Sequence, residues 1–214
     1  MSQPFPVTLA PPEWSNRQFF DAYAAPGRVG LVGLASWIDR RIRRSQRRLD
    51  PARQWSLWSH AFLFEGRRLD GEHWLLESDL DLHSHFIRLG VQENRLDKYC
   101  AEDEAPTLAV LDFGLDTGQT EQVLAAALGL LGSLTRYSIP KVFATWLALQ
   151  QGQLGRRFGR DDQRAVYCSA FVCQCYQAAG LDLAPGVLVD NALPELLWSA
   201  PLPHQAWLLD RATV

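Results

Sequence analysis

Apolar residues crowd into two short runs, residues 58–65 and 72–77, on either side of a polar stretch that ends in Asp70-Gly71. That layout predicts a β-hairpin with residues 66–71 as its connection. In this register Glu65 lies opposite Glu72, and His60 lies opposite Glu77. Directly opposed residues share a face, with Cβ atoms about 4.5–5.5 Å apart. A one-residue slip would turn one of the two side chains away. Residues 29–34 and 107–113 read as further strands.

Helical spacing fills the intervals. Residues 14–23 predict a short helix, capped by Ser15 or Asn16 and ended before Pro26-Gly27. Ser36 can cap a second helix that carries Trp37, Ile38 and Ile42 on one side and arginines on the other. Residues 120–133 predict a third, and 137–150 a further helical or mixed segment after Ile139-Pro140. A polar loop, 156–164, precedes a helix from Cys168 to Ala179 that stops at Gly180, a left-handed terminator. On that helix Cys168, Phe171, Val172, Cys175 and Ala179 follow the i, i+3, i+4, i+7 rule and form one core-facing stripe. Residues 1–12 are proline-rich and read as an extended arm, leaving residues 13–214 as a single domain. Strands and helices in this mixture indicate an α+β fold.

Composition narrows the class of function. Hydrophobic residues make up 47% of the chain and charged residues 21%, which is ordinary for a globular domain. A net charge of −3 offers no general attraction to nucleic acid or anionic membrane. Residues 40–48 depart from that balance, with six arginines in nine positions. The run reads as a solvated helical face, with an anion contact (phosphate or an anionic polymer) as the alternative. No apolar stretch is long enough to span a bilayer, so no integral membrane association is expected. Four cysteines do not suggest a disulfide framework. The first residues lack a basic start and an apolar run, so synthesis in the bacterial cytoplasm without a Sec signal is expected. Export by a signal-independent secretion system stays open.

The candidate chemistry centres on Cys168. A free thiol has a pKa of about 8.5 and is mostly protonated at neutral pH. The positive end of a helix favours its thiolate, and a neighbouring imidazolium would favour it further. His60 can supply that imidazole, and Glu77 can hold it in one tautomer and orientation. Cys173 and Cys175, deeper in the helix, read as small hydrophobes. Cys100, in a polar segment, reads as incidental. Cys168, Cys173 and Cys175 have the wrong spacing to converge on zinc. His73, His83 and His85 with Asp79 and Asp81 are a lesser metal candidate, more simply read as solvated, so no cofactor is assigned.

These residues carry a resemblance. The chain is similar to the circularly permuted papain-like cysteine hydrolases, the YiiX/YaeF-like branch of the NlpC/P60 superfamily. In that branch an S-H-x-x-hydrophobic strand comes first, a V-x-E-A or L-x-E-S strand follows, and a Y-C-S-x-hydrophobic-V helix closes the set. Here they stand as Ser59-His60-Ala61-Phe62-Leu63, Leu75-Leu76-Glu77-Ser78 and Tyr167-Cys168-Ser169-Ala170-Phe171-Val172. Residues 30–42 resemble the family's opening strand and helix. Leu193-Pro194-Glu195-Leu196 with Trp198-Ser199 resembles its late T-P-x-x-L-x-x-S segment, with Leu193 where threonine or serine is usual. The likeness spans residues 28–200. It implies a papain-like antiparallel sheet packed against the cysteine helix. It also implies catalysis by Cys168, His60 and Glu77, and oxyanion or substrate-positioning roles for Tyr137, Tyr167 and Ser169. Tyr137 stands two residues beyond its usual place in the family's G-x-P-Y element. The backbone N–H of Cys168 is a further oxyanion donor.

The resulting expectation is an amide-bond hydrolase acting on peptides, including cell-wall stem peptides, as a monomer. A secreted toxin of this kind would bring an inhibitor or immunity protein as partner, although no residue here marks one. An alternative keeps the triad but acts on lipid acyl groups, as a thioesterase or acyltransferase. Trp37, Trp55, Trp58 and Trp74 could then line an apolar pocket, their other reading being core. A catalytically silent binding module on the same scaffold is the third reading.

Overall fold

The hairpin that holds the two candidate residues sets the frame of the molecule. In a computed structural model that describes residues 3–49, 55–81, 88–133 and 168–211, β3 (His60–Arg67) pairs antiparallel with β4 (His73–Asp81). β2 (Val29–Gly33) flanks β3, and β5 (Arg88–Arg95) flanks β4. β6 (Thr107–Asp112), β7 (Gln205–Asp210) and β1 (Val7–Leu9) complete seven strands in the order β1-β7-β6-β2-β3-β4-β5. Only the β1–β7 pairing is parallel, so the sheet is mixed and the fold is α+β.

The hairpin differs from its predicted register. Leu63 lies opposite Leu76, where the expected pairing set it opposite Trp74. Gly66 and Arg67 belong to the strand rather than the turn. A bulge between Phe64 and Gly66 absorbs Glu65, and Gly66 takes a φ of +130° that suits glycine. The turn closes one residue later, through Arg68 N–H to Glu72 O at 3.1 Å and Gly71 N–H to Arg68 O at 2.9 Å. The displacement is two residues, an even step, so every side chain keeps its face. His60 and Glu77 therefore still point the same way.

Both faces of the central strands are covered. One face packs Val29, Leu31, Ala61, Leu63, Leu76, Ala109 and Leu111 beneath α3 (Thr117–Gly132) and α4 (Cys168–Ala178). The other packs Val32, Phe62, Phe64, Leu75, Leu108 and Val110 beneath Phe19 and Phe20 of α1 (Asn16–Tyr23) and beneath Leu96 and Tyr99. Alternate residues of each strand go to alternate faces, which is why these strands read as continuous apolar runs. Gly30 lies where the Phe62 ring crosses β2, and a Cβ there would stand 2.2 Å from Phe62 Cε2. Gly30→Ala is expected to cost about 1–3 kcal/mol through overpacking, read as a lower urea midpoint with an unchanged m-value.

Local signals locate most helices. Ser15 caps α1, with Gln18 completing a capping box. Asn16 is buried, its amide donating to Tyr99 O and Ala105 O. Asp116 and Gln119 form a second box, which starts α3 three residues earlier than predicted. α4 ends as expected, with Gly180 at φ +76° and Leu181 N–H donating to Tyr176 O. Its apolar surface is wider than one stripe, since Ser169, Ala170, Cys173 and Tyr176 are buried as well. The proline-rich arm supplies edge strand β1. On α2 (Trp37–Ser45), Trp37 is 68% exposed and does not join the core side. α5 (Pro194–Trp198) begins at Leu193, which makes no side-chain cap; Gln46 Oε1 accepts the Glu195 N–H instead, at 2.9 Å.

Candidate active site

Three elements bring the site together. α4 opens on Cys168, β3 opens on His60, and Glu77 stands in β4 two strands from β2. The start of β3 is pinned by Ser59, whose hydroxyl accepts the Leu34 N–H at 3.0 Å and donates to Val32 O at 3.3 Å. The segment before it is tied down by Gln46, donating to Trp58 O at 2.8 Å, and by the Ser56 hydroxyl, donating to the Glu195 carboxylate at 2.6 Å. Thus the serine of the Ser59-His60 pair and the late segment around Glu195 both serve to position the histidine.

The imidazole Nε2 of His60 meets Glu77 Oε2 at 2.7 Å. That leaves Nδ1 as the ring nitrogen not engaged by Glu77, and against the cost of burial the charge and hydrogen bonding of His60 favour the Cys168 thiolate. The Cys168 sulfur lies 3.8 Å from the Ser169 hydroxyl. Cys168 is half-buried, whereas Cys173 and Cys175 are sealed in the core.

Glu77 is fully buried, and four donors converge on its two oxygens. Oε2 accepts from His60 and from the Tyr99 hydroxyl. Oε1 accepts from Asn94 Nδ2 and Lys98 Nζ, each at 2.6 Å. Lys98 also pairs with Asp79. Burial alone would raise the Glu77 pKa, but the His60 hydrogen bond and the charges of His60 and Lys98 overcome it and hold it at about 2. Asn94, Lys98 and Tyr99 were not singled out by sequence reasoning. They sit on β5 and the short 3₁₀ turn after it, in a polar stretch with no apolar period to mark a face. The available signal is Leu96 and Tyr99, which are three apart, so both face the core.

The electrostatics separate one cysteine from the rest. Burial opposes the Cys168 thiolate, yet the charge and hydrogen bond of His60, with Ser169 and the Ala61 N–H, bring its pKa below the ordinary value. The His60 pKa is raised well above 6.5: burial works against the cation, and Cys168, Glu77 and Asp79 outweigh it. Burial pushes the Cys173 thiol up to about 12 and raises those of Cys175 and Cys100 too. These shifts favour a thiolate–imidazolium pair, and the buried Glu77 carboxylate braces the imidazole. It offers a nucleophile, a proton donor facing it, and the N-terminal amides of α4, which have no intrahelical acceptor.

Other sequence candidates separate. Tyr137, Tyr167, His83, His85 and the segments at 137–150 and 156–164 lie outside the described residues, as does the side chain of Asp81. His73 begins β4, near Asp21 at 3.5 Å, while Asp79 near its far end faces Lys98. The ligand atoms of His60, Glu77 and Asp79 do lie within 4.8 Å of one another, a spacing that a metal ion could bridge. Their lone pairs are committed, however. His60 Nε2 is spent on Glu77, and the Lys98 ammonium already stands as the cation between the two acids. A metal there would have to expel Lys98 and break the imidazole's anchor, so the trio does not fit one as it stands. The four tryptophans do not gather into one pocket. Trp58 is sealed against Trp198, Trp74 lies between Arg68 and Arg95, and Trp37 and Trp55 face solvent.

Fold and site together define an α+β domain whose mixed sheet carries a histidine–glutamate pair and whose buried helix opens on a cysteine. No known family profile matches the chain, and no curated protein matches its sequence. In fold it is similar to the crystal structure of the metalloprotein yiiX from Escherichia coli O157:H7. The TM-score is 0.56 and the identity 14%, over 86% of this chain and 96% of that one. Among the described residues, no helix is long and apolar enough to cross a membrane.

Proposed function

We propose that this chain is a cysteine hydrolase of the permuted papain-like type, in the YiiX/YaeF-like branch of the NlpC/P60 superfamily, and that it cleaves amide bonds. The observation that carries the reading is the Cys168–His60–Glu77 array, with one thiol lowered in pKa while the other three are raised. The Cys168 thiolate attacks the carbonyl carbon and forms a C–S bond. The carbonyl oxygen takes the negative charge and is met by the α4 amides. His60 passes its proton to the leaving nitrogen as the C–N bond breaks, leaving a thioester. Neutral His60 then takes a proton from water, whose oxygen attacks the thioester. The product departs as the carboxylic acid, which gives its proton to solvent, and the sulfur leaves as thiolate beside the restored imidazolium. Glu77 keeps Nε2–H directed at itself and stabilises the cation that forms. The yiiX structure is of a metalloprotein, but the chemistry proposed for this chain is the thiolate's, because Lys98 holds the cation position between Glu77 and Asp79.

The proposed substrates are peptides, with peptidoglycan stem peptides as the leading class and delivery by a signal-independent secretion route. Digestion of purified muropeptides by wild type and by Cys168→Ala tests this. New cleavage products from wild type alone are expected, and identical patterns from the two proteins would overturn it. The lipid-acyl alternative predicts that Cys168 is trapped by a fatty-acyl electrophile and ignored by a peptide-based one.

A further inference from the structure

The arginine-rich segment is unlike the rest of the surface. Elsewhere, arginines find acids: Arg17 with Glu72, Arg28 with Asp112, Arg67 with Asp21, Arg68 with Glu65 and Glu93, Arg95 with Asp70. Among the described residues, Arg41, Arg44 and Arg47 are exposed and form no salt bridge. They face solvent as uncompensated positive charge on a chain whose net charge is −3. The same place holds the two exposed tryptophans among the described residues, Trp37 at 68% and Trp55 at 49%. Arg41 lies over the Trp37 ring at 5.7 Å, and Arg44 over the Trp55 ring at 5.5 Å. Trp37, Arg41 and Arg44 are spaced i, i+4, i+7, so they form one ridge of about 10 Å along α2, with an indole at each end.

We propose that this ridge docks the protein on an anionic lipid surface. Indole rings settle at the headgroup level of a bilayer, and guanidinium groups beside them meet lipid phosphates. A convex ridge with an aromatic anchor at both ends suits a plane. Single-stranded nucleic acid is bound in grooves by aromatic faces left open for stacking, whereas here a guanidinium already covers one face of each ring. The ridge is joined to the thiol's neighbourhood. Arg43 Nε donates to Ser56 O at 2.9 Å, Ser56 N–H donates to Arg43 O at 3.2 Å, and Gln46 holds Trp58 O, two residues before His60. A docked ridge therefore fixes the opening of β3 relative to the membrane plane.

Co-sedimentation of the full chain with vesicles tests this. One set is phosphatidylcholine alone; the other contains one third phosphatidylglycerol. Binding is expected only to the anionic set and is expected to fall as NaCl rises from ~50 to ~500 mM. Arg41→Glu with Arg44→Glu, and separately Trp37→Ala with Trp55→Ala, are each expected to weaken it by at least about 10-fold. These side chains are exposed, and unchanged circular dichroism confirms folding. Equal binding to both vesicle sets, or full binding by either double variant, overturns the proposal. So does capture by single-stranded DNA with no capture by vesicles. Cys168→Ala is expected to bind like wild type, so this test stands or falls apart from the hydrolase reading.

Discussion

Glu77→Gln is expected to lower turnover by about 10,000-fold while leaving thiol and imidazole in place. The reason lies in the count of donors. His60, Tyr99, Asn94 and Lys98 all donate to the two Glu77 oxygens. Glutamine can accept at one end only, because its other end is an NH₂ that would face donors. His60 can relieve the conflict by carrying its proton on Nδ1 and accepting at Nε2, which is the tautomer that cannot take a proton on the Cys168 side. The same substitution leaves Lys98 with Asp79 as its remaining acid. The carboxylate's contribution to stability has a defined sign. Its folded pKa of about 2 lies below the ordinary 4.5, so the contribution is complete above 4.5 and is lost as pH falls toward 2. Urea unfolding between pH 5 and pH 2, in wild type and Glu77→Gln, should show the Glu77 share of that loss in wild type alone. A Glu77→Gln protein with wild-type turnover would remove the carboxylate from the mechanism.

His60→Ala is expected to slow iodoacetamide labelling of Cys168 at pH 6 by about 100-fold. A thiol at its free pKa is under about 1% ionised at that pH, whereas a thiol paired with imidazolium is largely thiolate; the lower nucleophilicity of an acidic thiolate trims the difference. Cys100, raised by burial, serves as the internal reference and should label slowly in both proteins. Activity should follow a bell. The acid limb lies below the ordinary thiol value, because the Cys168 pKa is lowered. The alkaline limb lies above 6.5, because the His60 pKa is raised. The raised His60 pKa also stabilises the fold below 6.5, a contribution that disappears as pH climbs through the folded value. Equal labelling of wild type and His60→Ala at pH 6 would leave the thiol ordinary and favour a silent binding module.

The sequence was legible wherever chemistry is local. Ser15, Ser36 and Gly180 mark helix ends by satisfying backbone groups within a few residues, so those boundaries were readable. The hairpin was readable as well, and its register was missed by two residues because Gly66 serves a bulge rather than the turn. That miss was harmless to the site, since an even shift in a period of two returns each side chain to its own face. β5 and β7 went unseen. β5 is a half-exposed edge strand, R-L-G-V-Q-E-N-R, whose pairing partner rather than its own pattern makes it a strand.

Residue types and their order along the chain were enough to nominate Cys168, His60 and Glu77, because each needs a particular functional group and short-range context. Tertiary structure alone decided what surrounds them. Asn94, Lys98 and Tyr99 reach Glu77 from 17 to 22 residues away, and Glu195 reaches Ser56 across 139. Such contacts follow from which strands become neighbours, a choice made by the burial of whole faces rather than by any local motif. Likewise, six arginines in a row of nine are a solvated face by sequence; that three of them stand without acids, two of these over exposed indoles, is a property of the folded surface.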